Sequence, residues 1–221
     1  MNARTPHRFL PVLGVLLSFL TGWPQPNIAS ATIDGIPGPS YNVTASAAYV
    51  STADGQSLLA WGYGTGGQMQ YPGPTMIVNQ NDVVTVTLTN ELPVPVSMVF
   101  PGQADVVATG GATGTLTQEV AAAVPGVPCV TNCSVIYPFP ASQPGTYLYH
   151  SGTQQDLEVE MGLVGALIVR PNTADPLHKA YDDPNPCTDG ANTCFAREYL
   201  FLETEMDKNV HGMIDVALAS G

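Results

Sequence analysis

Punctuation constrains this chain most. Twenty-two glycines and twenty prolines break its 221 residues into short segments. Within those segments apolar and polar residues alternate with a period of two, which places alternate side chains on opposite faces of an extended strand. The clearest case is Val84, Val86 and Leu88 interleaved with Thr85, Thr87 and Thr89. Just before it, Asn79, Asn81 and Asp82 supply turn chemistry. Tyr41 to Val50 predicts another strand, with Val43, Ala45, Ala47 and Tyr49 on one face. A turn at Asp54-Gly55 leads into a strand over 57–63, whose largest apolar side chain is Trp61. Tyr71-Pro72-Gly73-Pro74 is a rigid turn.

Further strands are predicted over 96–100, 135–139, 146–150 and 165–169. Asp156 to Met161 also alternates. Read as a strand, it sets Leu157, Val159 and Met161 against a row of Asp156, Glu158 and Glu160, a candidate face for a hard cation or a solvated edge. Glu198 to Glu203 reads as a last strand, and the tail after it, with Met206, His211 and Met213, shows no regular period. Soft-metal capture by those three is weighed against their use as packing. Many short strands, Gly/Pro turns and almost no helical pattern indicate an all-β sandwich or barrel.

The start of the chain has a different character. Arg4, His7 and Arg8 precede an apolar run from Phe9 to Leu20, and Ala29-Ser30-Ala31 supplies small residues at the spacing of a signal-peptidase site. Residues 1–31 are therefore expected to be a signal peptide, with a retained anchor as the alternative. The expected destination is secreted or periplasmic, with no membrane span after cleavage. Removing this leader leaves four basic residues against eighteen acidic ones, a net charge of −14. Such a chain is repelled by phosphate backbones, so nucleic acid is excluded as an expected partner. Export also makes disulfides the expected state of the four cysteines. Cys129 with Cys133 and Cys187 with Cys194 is the simplest pairing, although sequence permits the crossed ones.

Four ordered segments carry a resemblance. Pro72-Gly73-Pro74-Thr75 precedes Asn81-Asp82-Val83-Val84, then Asn90-Glu91-Leu92-Pro93, then Pro144-Gly145-Thr146-Tyr147-Leu148-Tyr149-His150-Ser151. With Gly162 to Val169 after them, these segments resemble the first domain of multicopper oxidases, and Arg197 to Asp207 resembles the opening of that family's second domain. The resemblance implies a cupredoxin-like (plastocyanin-like) Greek-key β-sandwich. The expected organisation is a signal peptide over 1–31, a cupredoxin domain over 32–172, and over 173–221 a linker with a partial second-domain strand.

It also implies copper, and here the chain departs from the family. Where the family places a first His-x-His, this sequence has Val99-Phe100-Pro101. In the second motif His150 fits and Gly152 does not. Three of the four imidazoles that such a domain gives to a trinuclear cluster are replaced by residues with no side-chain donor. His150 is thus the single candidate metal ligand, no catalytic residue stands out, and the cysteines lack the Cys-His spacing of a blue-copper site. Three readings follow: an exported module with a structural or interaction role, a fragment of a larger copper oxidase, or a copper carrier. On the last two, further cupredoxin domains or another chain are the expected partners.

Overall fold

The computed structural model describes residues 32–173, 179–181 and 193–220. The predicted signal peptide, His178 and Cys187 lie outside them. The elements in chain order are β1 (Ile36–Pro37), β2 (Ser40–Ser51), β3 (Ser57–Thr65), β4 (Gln68–Met69), β5 (Met76–Asn79) and β6 (Val83–Asn90). They continue with β7 (Thr109–Gly110), β8 (Ala112–Thr113), β9 (Gln118–Glu119), β10 (Val135–Pro140), β11 (Gly145–His150), α1 (Gln155–Glu158), β12 (Val164–Arg170) and α2 (Lys208–Ser220).

Two main sheets face each other. One is four-stranded, in the order β1-β5-β12-β11; the other is six-stranded, β4-β3-β2-β6-β10-β7. Tyr41, Trp61, Tyr63, Val84, Val86, Leu88, Tyr137 and Phe139 from the larger sheet share one core with Met76, Val78, Tyr149, Leu167 and Val169 from the smaller. The period-two alternation explains this: Val84, Val86 and Leu88 turn inward and are fully buried, while the threonines between them do not. Asn81 takes a left-handed conformation (φ 70°) to make the turn before β6, and the Asp82 carboxylate accepts the Asn79 N–H at 2.8 Å.

All seven residues of β12 are buried. Leu167 and Val169 belong to the inter-sheet core, and the returning segment 195–205 lies beside the outward residues Val164, Ile168 and Arg170. A strand covered on both faces reads as a continuous apolar run, as Val164 to Val169 does.

The structure corrects the sequence reading at five places. Ala47 and Tyr49 are exposed, because β2 runs past the end of the core. Residues 96–100 form only isolated bridges, Val96 to Val120 and Val99 to His150. Tyrosine hydroxyls replace a strand neighbour there: Tyr63 donates to the Ser97 carbonyl at 2.7 Å, and the Met98 N–H donates to Tyr137 at 3.1 Å. Asp156 to Met161 is not a strand but α1 and the turn after it. Its three carboxylates share no face: Asp156 is exposed, Glu160 half-buried and Glu158 fully buried. Residues 198–203 belong to no strand, and Phe201 is 84% exposed. The tail without an apparent period is the helix α2.

The cysteine reading fares better. Cys129 and Cys133 form the expected local disulfide, Cys194 is disulfide-bonded, and no described cysteine is free.

Candidate functional site

β11 ends at His150, and the next three residues turn through the edge of the core. His150 pairs with Val164 on one side. On the other, the Val99 N–H donates to the His150 carbonyl at 2.8 Å and the His150 N–H returns to Val99 at 3.2 Å. The two stretches in which the sequence departs from the copper motifs are therefore neighbours in space.

The His150 ring is half-buried, and its Nδ1 lies 2.9 Å from the Ser151 carbonyl. The Gln155 amide nitrogen approaches the same Nδ1 at 3.4 Å. A neutral ring that donates from Nδ1 to Ser151 keeps its lone pair on Nε2, the one nitrogen left to meet a metal.

The residues around it do not fit a copper cluster. Among the described residues no three histidine, cysteine, aspartate or glutamate side chains converge. Position 152 is also closed: a Cβ there would stand 2.8 Å from Val99 Cγ1 and 3.0 Å from Ser97 Oγ, with Leu116 Cβ at 3.5 Å. Val99 thus fills space that a side chain at position 152 would need. Clashes of this size in a packed interior force neighbours to move.

A hydrogen-bonded network holds the turn instead. Ser151, Gly152 and Thr153 are all buried. The Ser97 hydroxyl accepts the Gly152 N–H at 3.1 Å and lies 2.9 Å from Thr153 Oγ1. Thr153 Oγ1 donates to a Glu119 carboxylate oxygen at 3.0 Å, so Ser97 is the donor to Thr153. The Ser151 hydroxyl accepts the Thr153 N–H at 3.1 Å and donates to Glu158 at 2.5 Å.

Glu158 is the unusual member, because its second oxygen is buried without a partner. Burial pushes its carboxyl up to about 8; the Ser151 hydrogen bond opposes the shift and nearby Glu119 adds to it. Burial likewise raises the Tyr63 hydroxyl, which sits above Ser97. Such a network satisfies backbone and hydroxyl groups inside a core. It contains no imidazole to activate a hydroxyl and no thiolate.

His211, by contrast, is far along the chain and fully buried in α2, with its ring nitrogens directed at the Leu59 and Glu160 carbonyls. Of the three residues weighed for soft-metal capture, His211 has both ring nitrogens facing backbone oxygen and Met213 is 64% exposed. Sequence gave no signal for the burial of Glu158 or for the Ser97–Thr153 contact, which joins residues 56 positions apart.

The multicopper oxidase family profile matches residues 60–174, a little over half of the chain. The chain belongs to the multicopper oxidase family. Among curated relatives, it is 33% identical over 117 residues to laccase abr2 of Aspergillus fumigatus, covering 52% of this chain and 18% of that one. It is 36% identical over 104 residues to a copper-containing nitrite reductase of Pseudomonas chlororaphis, covering 45% and 25%. A multicopper oxidase structure from Pseudomonas thermotolerans aligns with a TM-score of 0.49 and 23% identity over 62% of this chain and 30% of that one. The chain thus spans a quarter or less of the length of these curated relatives.

Proposed function

We propose that this chain is an exported cupredoxin-type module of the multicopper oxidase family that lacks a copper cluster of its own and has a structural or interaction role. The observation that carries this reading is the closed corner at Gly152. A family scaffold is present, yet Val99 and Ser97 occupy the space where a further imidazole would have to stand. Among the described residues His150 is the one imidazole at this corner, where a cluster needs several, and a lone imidazole holds copper weakly. The signal-like start and the local disulfide support export. Further cupredoxin domains or another chain are the proposed partners.

The test is spectroscopic. The purified chain, incubated with copper(II) and then desalted, is expected to show no intense blue absorption band and no dioxygen uptake with a phenolic reductant. Either signal at stoichiometric level would end this reading.

A second reading has its own support. The short span relative to laccases and the unused Nε2 of His150 favour a segment whose copper site is completed by other domains or chains. Co-purification from the source cell separates the two: a copper-containing partner with which the chain elutes would favour completion, and elution without one would favour the independent module. A carrier role for His150 predicts that His150→Ala loses copper affinity, and equal affinities would remove it.

A further inference from the structure

The outward faces of β11 and β12, together with α1 and the returning segment 202–205, enclose a groove of about 370 Å³. Its floor is apolar, built from Leu148, Val159, Val164 and Leu202. Leu148 faces outward because it alternates with Tyr147 and Tyr149, which turn to the core, and it is 45% exposed. Val159 and Leu202 are half-buried. The rim is acidic. Asp156 and Glu160, four residues apart, come from one side of α1 and the turn after it; Glu203 and Glu205 come from the returning segment. Among the described residues no lysine, arginine or histidine lines the groove.

An apolar floor inside a rim of one sign selects its occupant. The floor gains free energy when water is removed from it. The carboxylates around it repel one another and attract positive charge. A bare metal ion does not fit: among the described residues no three acidic, histidine or cysteine side chains converge. An anionic membrane surface is repelled by the rim. Long basic side chains suit both parts, since their methylene stems cover apolar surface while their charged heads stay at the edge. Glu160 is partly committed, because its carboxylate accepts the Asp207 N–H and lies 3.9 Å from His211 Nε2. Asp156, Glu203 and Glu205 are all exposed and supply most of the rim's field.

We propose that this groove docks a basic segment of a partner polypeptide: an apolar side chain sits on Leu148 and Leu202, and flanking lysines or arginines reach the carboxylates of the rim. Docking here rests on the interaction role proposed above and supplies its surface and its partner chemistry. The groove borders the His150 corner, because Gln155 lines it and its amide approaches His150 Nδ1 at 3.4 Å. Copper content and docking remain separate readouts. A copper-free chain that ignores basic peptides sinks the docking alone, and a chain that holds a copper cluster yet binds them sinks only the reading of a module without one.

Peptide titration of the full chain, followed in nitrogen–proton correlation spectra, tests this. The blocked hexapeptide Lys-Lys-Leu-Leu-Lys-Lys is expected to shift the Leu148, Val159 and Leu202 amides, with affinity falling at least about tenfold from about 50 to about 500 mM salt. Replacing its lysines with glutamates, or its leucines with serines, should weaken binding at least about fivefold. Glu203→Lys and Asp156→Lys should each weaken it at least about fivefold, whereas Glu91→Lys, the same charge change just beyond β6, should alter it less than about twofold. Dissociation constants above about 1 mM for the lysine peptide, shifts that map elsewhere, equal binding of the glutamate or serine peptide, or an equal loss in Glu91→Lys would each overturn the proposal. The peptide comparisons use the wild type, so they decide even where a variant fails to fold.

Discussion

His150 and His211 sit at two edges of the same sandwich, and their surroundings are opposite. His150 stands where the family motif leads one to look, yet it is half-buried, shares one nitrogen with a neighbouring carbonyl and, among the described residues, meets no converging donors. No family motif points to His211, yet it is fully buried and both its nitrogens are engaged. Motif position therefore says where to look, while burial and partners say what a residue does in this fold. The His150 corner is held by hydroxyls and one buried acid, and the His211 edge by ring nitrogens set against two backbone carbonyls.

The largest expected effect lies in the first corner. Glu158 is held up to about 8 against an ordinary value of 4.5, so between those limits the folded chain keeps a proton that the unfolded chain releases. Stability should thus be highest below about pH 4.5 for this group and fall as pH rises, by up to roughly 4 kcal/mol near pH 8. Denaturant melts across that range should show Glu158→Gln losing this component of the slope. A variant that tracks wild type at every pH would remove Glu158 from the account.

Next, Gly152→His should lower stability by about 3 kcal/mol, because the new side chain meets Val99 and Ser97. Pairing it with Val99→Ala should recover part of that loss in a thermal melt. Full stability in the single variant would show that the corner is open after all.

His211→Ala should cost about 2 kcal/mol, since it leaves the Leu59 and Glu160 carbonyls without their donor. The loss should be visible as increased proteolysis within α2 before the sheets unfold. His150→Ala should be the mildest change, below about 1 kcal/mol by denaturant melt, as expected for a half-exposed ring away from the main core. A reversal of these last two would break the contrast between the histidines.

Much of the sandwich was legible because its signal is local. β6 announces itself through Val84, Val86 and Leu88, the turn before it through Asn81 and Asp82, and the tight disulfide through two cysteines four residues apart. Asp156 to Met161 misled because Leu157 and Met161 satisfy both periods, two apart through Val159 and four apart along a helix. The left-handed Gln154 and the Ser151 bond to Glu158 decide for the helix, and neither is visible in a local pattern. In α2 the inward stripe is Val210, His211 and Ile214, too narrow and too polar at its centre to stand out, with Gly212 interrupting it. At the candidate site the sequence expectation rested on His150 and on residues without side-chain donors at 99–101 and 152. That Val99 stands against position 152 was not legible, because residues 53 positions apart meet only in the fold.

Copper stoichiometry tests the central claim most directly. The full chain, expressed with copper supplementation, stripped of loose metal on a desalting column and measured by elemental mass spectrometry, is predicted to carry well under one copper per chain. Two or more tightly held coppers per chain, lost together in His150→Ala, would contradict it.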